Sequence, residues 1–261
     1  MNPISYKDAK VLSTETVRNL VPLRLCSNFK NMQNQILYND NTLVVLNKPA
    51  TIPTQPDLTG DASFLQLTEA FLKEKLYLIH RLDRVASGIV VFAKTEKAAA
   101  ALSQQFQNKT TEKTYIAVVE NKPPKDSDTL THFLIKNGKI NASKAFDTYT
   151  EDAKKAEMHY ILRGGSDRYV LLEIQLFTGR HHQIRAQLAK IGCPIKDDVK
   201  YGARRSNPNR SIYLHAWKLQ FQHPVSHENH TVRHRGQERG GDYLCTLQDN
   251  SPPGARPSRR C

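Results

Sequence analysis

Short apolar runs broken by turn residues fill most of this chain and constrain its fold more than any other feature. Gln35-Ile-Leu-Tyr and Thr42-Leu-Val-Val-Leu-Asn-Lys-Pro read as strands around an Asn-Asp-Asn turn. Gly88-Ile-Val-Val-Phe-Ala and Thr114-Tyr-Ile-Ala-Val-Val are continuous apolar runs of strand length. Asn137-Gly138 is the strongest hairpin signal in the chain. Gly164-Gly165-Ser166-Asp167 separates a further pair of strands over 158–162 and 169–177, and Ser211 to Phe221 reads as the last strand. Helical spacing appears between these runs. Phe64, Leu65, Leu67, Phe71 and Leu72 share a helical pattern that Asp61 or Ser63 can cap, and residues 96–107 form another such stretch. A helix over about 180–191 would be capped by Thr178, place Ile184, Leu188 and Ile191 on one face, and put Gly192 just past its end. The sum predicts an α+β fold: a mixed, mostly antiparallel central sheet flanked by helices and loops. It is not a βαβ series, and neither a G-x-G-x-x-G nor a GxxxxGK[ST] phosphate loop occurs.

Charge narrows the partner. The chain of 261 residues carries 38 Lys and Arg against 25 Asp and Glu, a formal charge of +13, which favours a polyanion such as nucleic acid through counterion release and steering. Its hydrophobic fraction of 39% is low for a fully packed chain, so part of it is expected outside the folded body. The folded body is expected over 32–226, preceded by an extension over 1–31, too short for a separate RNA-binding domain, and followed by an atypical basic tail over 227–261, with its Pro-Pro-Gly-Ala-Arg-Pro run and no further strand. The four cysteines, at 26, 193, 245 and 261, lack zinc-ligand spacing and read as reduced thiols, so no metal is expected. No apolar run reaches the roughly 18 residues of a membrane span, and no leader pattern opens the chain; the cytoplasm is the expected compartment.

Chemistry concentrates in two segments. In His80-Arg-Leu-Asp-Arg-Val-Ala-Ser-Gly-Ile-Val-Val-Phe-Ala-Lys, Asp83 stands between Arg81 and Arg84 in a loop joining apolar strands. A carboxylate beside guanidinium groups suits a nucleophile or base; an Asp that caps a turn and pairs with arginine has the same sequence appearance. In Thr178-Gly-Arg-His-His-Gln-Ile-Arg-Ala-Gln-Leu, cationic and amide side chains crowd the start of the expected helix, an end that suits an anion such as RNA phosphate. A solvated basic face is the other reading. His181 and His182 would diverge by roughly 100° as helix neighbours and find no third ligand, which argues against a metal site.

Together these segments resemble the RluA-type RNA pseudouridine synthases, whose hallmarks are HRLDxxTSGLL(L)xAK and TGRxHQIRxHLxxxGxPIxGDxxYG. Here they stand at 80–94 and 178–202, with Asn47-Lys-Pro-Ala-Thr matching the family's NKPxG and Leu214-His-Ala-Trp-Lys-Leu-Gln-Phe-Gln-His-Pro its closing LHAxxLxFxHP. The resemblance covers about 32–226 in order. It implies the family's pseudouridine-synthase-like fold and a cofactor-free isomerisation of a flipped uridine in ribosomal or transfer RNA, with no membrane and no obligate protein partner. It also implies that Asp83 is the catalytic carboxylate, Tyr115 the tyrosine packed against the base, and Arg185 the partner of Asp83. Arg81 would fill the gap left by the flipped base, with Arg84, Lys113, Arg180, His182 and Gln183 as further RNA contacts. The motifs leave open whether Asp83 attacks C1′, adds to C6, or acts after deprotonation at C2′. The chain departs from the pattern at Ala86, Gln187 and Asp197, where the family has Thr, His and Gly, and it offers no apolar strand after His-Pro.

Overall fold

The structure is a computed structural model that describes residues 32–166 and 168–234; the expected extension over 1–31 and most of the expected tail lie outside the described residues. The strands, in chain order, are β1 (Ile36–Asn39), β2 (Leu43–Lys48), β3 (Tyr77–Leu78), β4 (Ser87–Ala93), β5 (Glu112–Val119), β6 (Ser127–Asn137), β7 (Ala142–Phe146), β8 (Lys154–Gly165), β9 (Val170–Leu176), β10 (Leu214–Gln222) and β11 (Asn229–Arg233). They form a single sheet in the order β1-β2-β4-β10-β5-β9-β8-β6-β7, with β3 on β4 and β11 on β10. Every pairing is antiparallel except β4 with β10, where His215 lies opposite Ser87 and Ala216 opposite Gly88. The helices are α1 (Phe64–Leu72), α2 (Glu96–Gln107) and α3 (Gln183–Lys190). The mixed, mostly antiparallel sheet expected from the sequence is thus present.

The uninterrupted apolar runs of β2 and β4 follow from burial on both faces. Val44, Leu46, Val90 and Phe92 point into one core with Phe64 and Leu67 of α1 and Ile184 and Leu188 of α3. Leu43, Val45, Ile89 and Val91 point into the other, beneath Ala98 and Leu102 of α2. Helix α1 starts at a reciprocal capping box, in which Ser63 Oγ accepts the Gln66 N–H and the Gln66 side chain accepts the Ser63 N–H. Thr95 caps α2 by accepting the Ala98 N–H.

The Asn137-Gly138 hairpin forms as expected; Asn137 pairs with Ala142, so its loop spans residues 138–141. Several local expectations are corrected. Helix α3 begins at Gln183, not near 180, because His182 adopts left-handed backbone at φ +50° and stops the helix there. Thr178 does not cap it; its hydroxyl donates instead to Gln183 Oε1 at 2.7 Å. The expectation that order ends at 226 also fails, because β11 pairs along Lys218–Gln222. His230 of β11 packs against the rings of Tyr38 at 5.1 Å, His223 at 5.2 Å and Phe221 at 5.7 Å, so a histidine does the covering usually done by an apolar residue.

Candidate active site

Asp83 lies in the turn between β3 and β4, which the 48–54 segment braces from behind. Lys48 Nζ, fully buried, donates to the carbonyls of Pro49 and Ile52 at 2.8 Å each and reaches that of Arg84 at 3.5 Å. Burial pushes this ammonium down to about 7, while the nearby Asp83 pulls it upward. Thr54 Oγ1 donates to the Leu82 carbonyl at 2.8 Å and accepts the Leu82 N–H at 3.1 Å. Directly after the turn, Gly88 (φ +119°) crosses β10 so closely that a Cβ would sit 2.4 Å from the Ala216 backbone, so only glycine fits there.

Arg185, on α3 and 102 residues from Asp83, supplies the expected partner. Its guanidinium is shared unequally. Nε and Nη2 grip Asp198 at 2.7 and 2.8 Å in a bidentate pair, while Nη1 alone reaches Asp83 Oδ2 at 3.3 Å. The Arg185 and Asp198 side chains are only 5% and 2% exposed, whereas that of Asp83 is 21% exposed, so the site's open face belongs to Asp83. Burial works against the Arg185 charge, but Asp198 and then Asp83 more than offset it and raise its pKa. His182 Nε2 approaches the same Oδ2 at 3.7 Å. No described residue hydrogen-bonds Oδ1 of Asp83. Tyr115, buried on β5, has its phenol pushed above the ordinary range by burial and then by the charge of Asp83. Among the described residues, no group of three or more His, Cys, Asp or Glu side chains could hold a metal ion.

The expected RNA-contacting residues divide. Arg81 is exposed and has no hydrogen-bond or ion-pair partner among the described residues. Arg180 is exposed and spends only its Nε, on the Lys155 carbonyl at 3.0 Å. The Lys113 ammonium lies 5.8 Å from the centre of the Phe106 ring, with its pKa lowered by burial and by Lys109. Arg84 turns away from Asp83 to Asp61 and Asp57, with Nη1 on the Thr59 hydroxyl, which corrects the picture of Asp83 held between two arginines. Gln183 is also reassigned. It is 3% exposed, accepts the Thr178 hydroxyl and the Arg180 N–H, and donates to the Glu157 carbonyl, so its side chain holds the turn rather than facing solvent. His181 and His182 do not diverge; their rings stack 3.8 Å apart, because His182 lies before the helix. Asp198 is a site residue that the charge pattern of the 178–202 segment does not point to. Its neighbour Asp197, at the family's Gly position, takes φ +68°, a conformation that glycine adopts freely.

Comparison with known proteins decides the lineage. The family model described as RNA pseudouridylate synthase matches residues 42–190. The chain belongs to this family. Among curated relatives, the Bacillus subtilis (strain 168) protein named "Uncharacterized RNA pseudouridine synthase YhcT" is 35% identical over 204 residues, covering 74% of this chain and 65% of the relative. The Haemophilus influenzae protein named "Ribosomal large subunit pseudouridine synthase C" is 31% identical over 208 residues, covering 76% of this chain and 63% of the relative. The chain therefore spans just under two thirds of the length of these relatives. The solved structure "Human RNA Pseudouridylate Synthase Domain Containing 1" shares the fold, with a TM-score of 0.66 at 22% identity over 77% of this chain and 82% of that chain. The resemblance read from the sequence motifs is thereby borne out, as is the fold class.

Proposed function

We propose that this protein isomerises a specific uridine in structured RNA to pseudouridine, with Asp83 as the catalytic carboxylate. The observation that carries the reading is the unequal sharing of Arg185: Asp198 occupies its bidentate edge, and Asp83 keeps one anchored oxygen and one free oxygen on an open face. A positioned carboxylate with a free oxygen is what every route to this product requires, whether the first event is at C1′, C6 or C2′.

The reaction breaks the N1–C1′ bond, turns the uracil while it stays bound, and joins C5 to C1′; the proton on C5 is lost and N1 gains one. A stacked uracil presents neither C1′ nor C5 to a side chain, so the nucleotide must leave its stack. Tyr115 offers the flipped base an aromatic wall beside Asp83. Arg81, two residues from Asp83 in sequence, is an exposed cation without a partner among the described residues and would fill the space that the base vacates. Arg180 and Lys113 extend the cationic track for phosphates. Ribosomal RNA is the first substrate to try, since relatives carry names for the large ribosomal subunit; transfer RNA is the second. This activity would act in the cytoplasm.

The reading is tested with transcripts carrying tritium at C5 of uridine. Formation of the C5–C1′ bond releases that label to water. Release of tritium from ribosomal or transfer RNA supports the proposal, and the absence of release from both, with folded protein that binds them, refutes it.

A further inference from the structure

We propose that Tyr201 is a positioning residue for Asp83: its hydroxyl fixes the tautomer of His182 and its ring backs Arg185, so that the Arg185 N–H donates to Oδ2, the His182 N–H faces the same oxygen from beyond hydrogen-bond distance, and Oδ1 is left to react. This rests on the reading of Asp83 as the catalytic carboxylate. Tyr201 ends a single 3-10 turn, Val199–Tyr201, that follows Asp198 directly, so the residue gripping Arg185 and the residue backing it move together.

The hydrogen-bond network assigns the protons. The Tyr201 oxygen accepts the Ser143 backbone N–H at 2.8 Å, a group that can only donate. It lies 2.9 Å from His182 Nδ1, and no other described acceptor takes the phenol proton. Tyr201 therefore donates to Nδ1, which places the imidazole hydrogen on Nε2. Nε2 is the atom facing Asp83 Oδ2 at 3.7 Å, where Arg185 Nη1 also arrives at 3.3 Å. Burial, reinforced by Arg185, depresses the His182 pKa to about 2, so the ring stays neutral and holds a single tautomer.

The ring of His182 has little freedom to turn. His181 stacks on it at 3.8 Å, and the Tyr201 ring meets it edge-on at 5.7 Å. Ser143 closes the set from β7. Its hydroxyl donates to the His181 carbonyl at 2.7 Å and lies 2.9 Å from His181 Nδ1, while its N–H holds Tyr201. The Arg185 guanidinium carbon sits 4.8 Å from the centre of the Tyr201 ring, a cation–π contact that limits its swing. Arg185, which holds Asp83, and His182, which faces it, are thus both oriented by one phenol. His182, named from the sequence as an RNA contact, becomes a support for the carboxylate.

The test is Tyr201→Phe, which keeps the ring behind Arg185 and removes only the hydroxyl. Two readouts are taken: pseudouridine formation under saturating and limiting RNA, and the ¹⁵N shifts of His182, which distinguish protonated from bare ring nitrogens. The expected result is a kcat lowered about tenfold to a hundredfold, as for a reacting group displaced by a fraction of an ångström, with KM unchanged and a melting temperature lowered by only a few degrees, since the Ser143 N–H loses its acceptor. His182 should show a hydrogen on Nε2 in the native protein and a mixture of tautomers in the variant. A His182→Asn, Tyr201→Phe double variant should lose no more than the larger single loss, since both act along one path. Native kcat in Tyr201→Phe, or a hydrogen on Nδ1 in the native protein, overturns the proposal. The spectroscopic arm reads the tautomer even if no RNA is modified, so failure of the pseudouridine reading remains distinguishable from failure of this one.

Discussion

Replacing Asp198 by alanine tests the electrostatic frame of the site. The substitution removes two charge-assisted hydrogen bonds, at 2.7 and 2.8 Å, and leaves the guanidinium of Arg185 buried with only the 3.3 Å contact to Asp83. Removing one partner of a buried pair costs about 3–5 kcal/mol, because the remaining charge has neither water nor a counter-ion. Asp83 remains as a weak partner, so the lower end, about 3 kcal/mol, is expected. With a urea m-value of about 2–3 kcal/mol per M, that loss moves the midpoint of equilibrium unfolding down by about 1–1.5 M. The control is Arg185→Met with Asp198→Leu, which removes both buried charges and leaves Asp83 exposed enough to be solvated. It should unfold within about 1 kcal/mol of the native protein. An Asp198→Ala loss under about 1 kcal/mol, or a double variant less stable than the single one, would refute the reasoning that Arg185 is held chiefly by Asp198.

Further expectations follow from other parts of the structure. Gly88→Ala should cost several kcal/mol or prevent folding, since φ +119° and a 2.4 Å approach to Ala216 both forbid a Cβ; urea unfolding or soluble yield reads this. His80, His182 and His215 have pKa values depressed by burial to about 3, 2 and 4. The unfolded chain therefore binds more protons below pH about 6.5, and stability present above that pH is lost as pH falls, by roughly 1.4 kcal/mol per group per unit. Stability unchanged between pH 7 and 5 would contradict this. A chain ending at Ser226 should unfold at lower urea than one ending at His234, because only the longer one keeps β11 on β10. Arg81→Ala should weaken RNA binding and reduce its salt dependence by about one released counterion for each phosphate that the arginine neutralises, without changing the melting temperature.

What was legible in the sequence was whatever depends on near neighbours. Helix α2 lies where its spacing put it, and Thr95 caps it. Gly192 takes the left-handed conformation expected just beyond α3. The strands β2, β4 and β5 are continuous apolar runs because both of their faces, or the site wall, are covered. Strand β11 is not legible in the sequence because Asn229-His-Thr-Val-Arg has one apolar residue, and His230 does its packing through ring contacts that no hydropathy pattern encodes. Asp83 stands out in its segment, yet the arginines beside it in sequence are not its partners: Arg84 answers to Asp57 and Asp61, and the partner arrives from α3. Asp198 and Tyr201 stand at fixed positions of the family's GDxxYG stretch, but the stretch does not show what they hold. Their roles come from the docking of a turn against α3 and β7, which depends on tertiary packing rather than on local spacing. The stacked histidines show the same limit, since one left-handed residue at 182 converts two diverging helix positions into a parallel pair.

The most direct measurement compares the native protein with Asp83→Asn on unmodified ribosomal and transfer RNA transcripts, mapping pseudouridine by carbodiimide labelling, with a melting curve and an RNA-binding isotherm for each protein. The account predicts that both proteins fold and bind, that the native protein alone forms pseudouridine, and that it does so at a defined uridine. Pseudouridine formed by Asp83→Asn at the native rate, or no pseudouridine from either folded, RNA-binding protein, would contradict it.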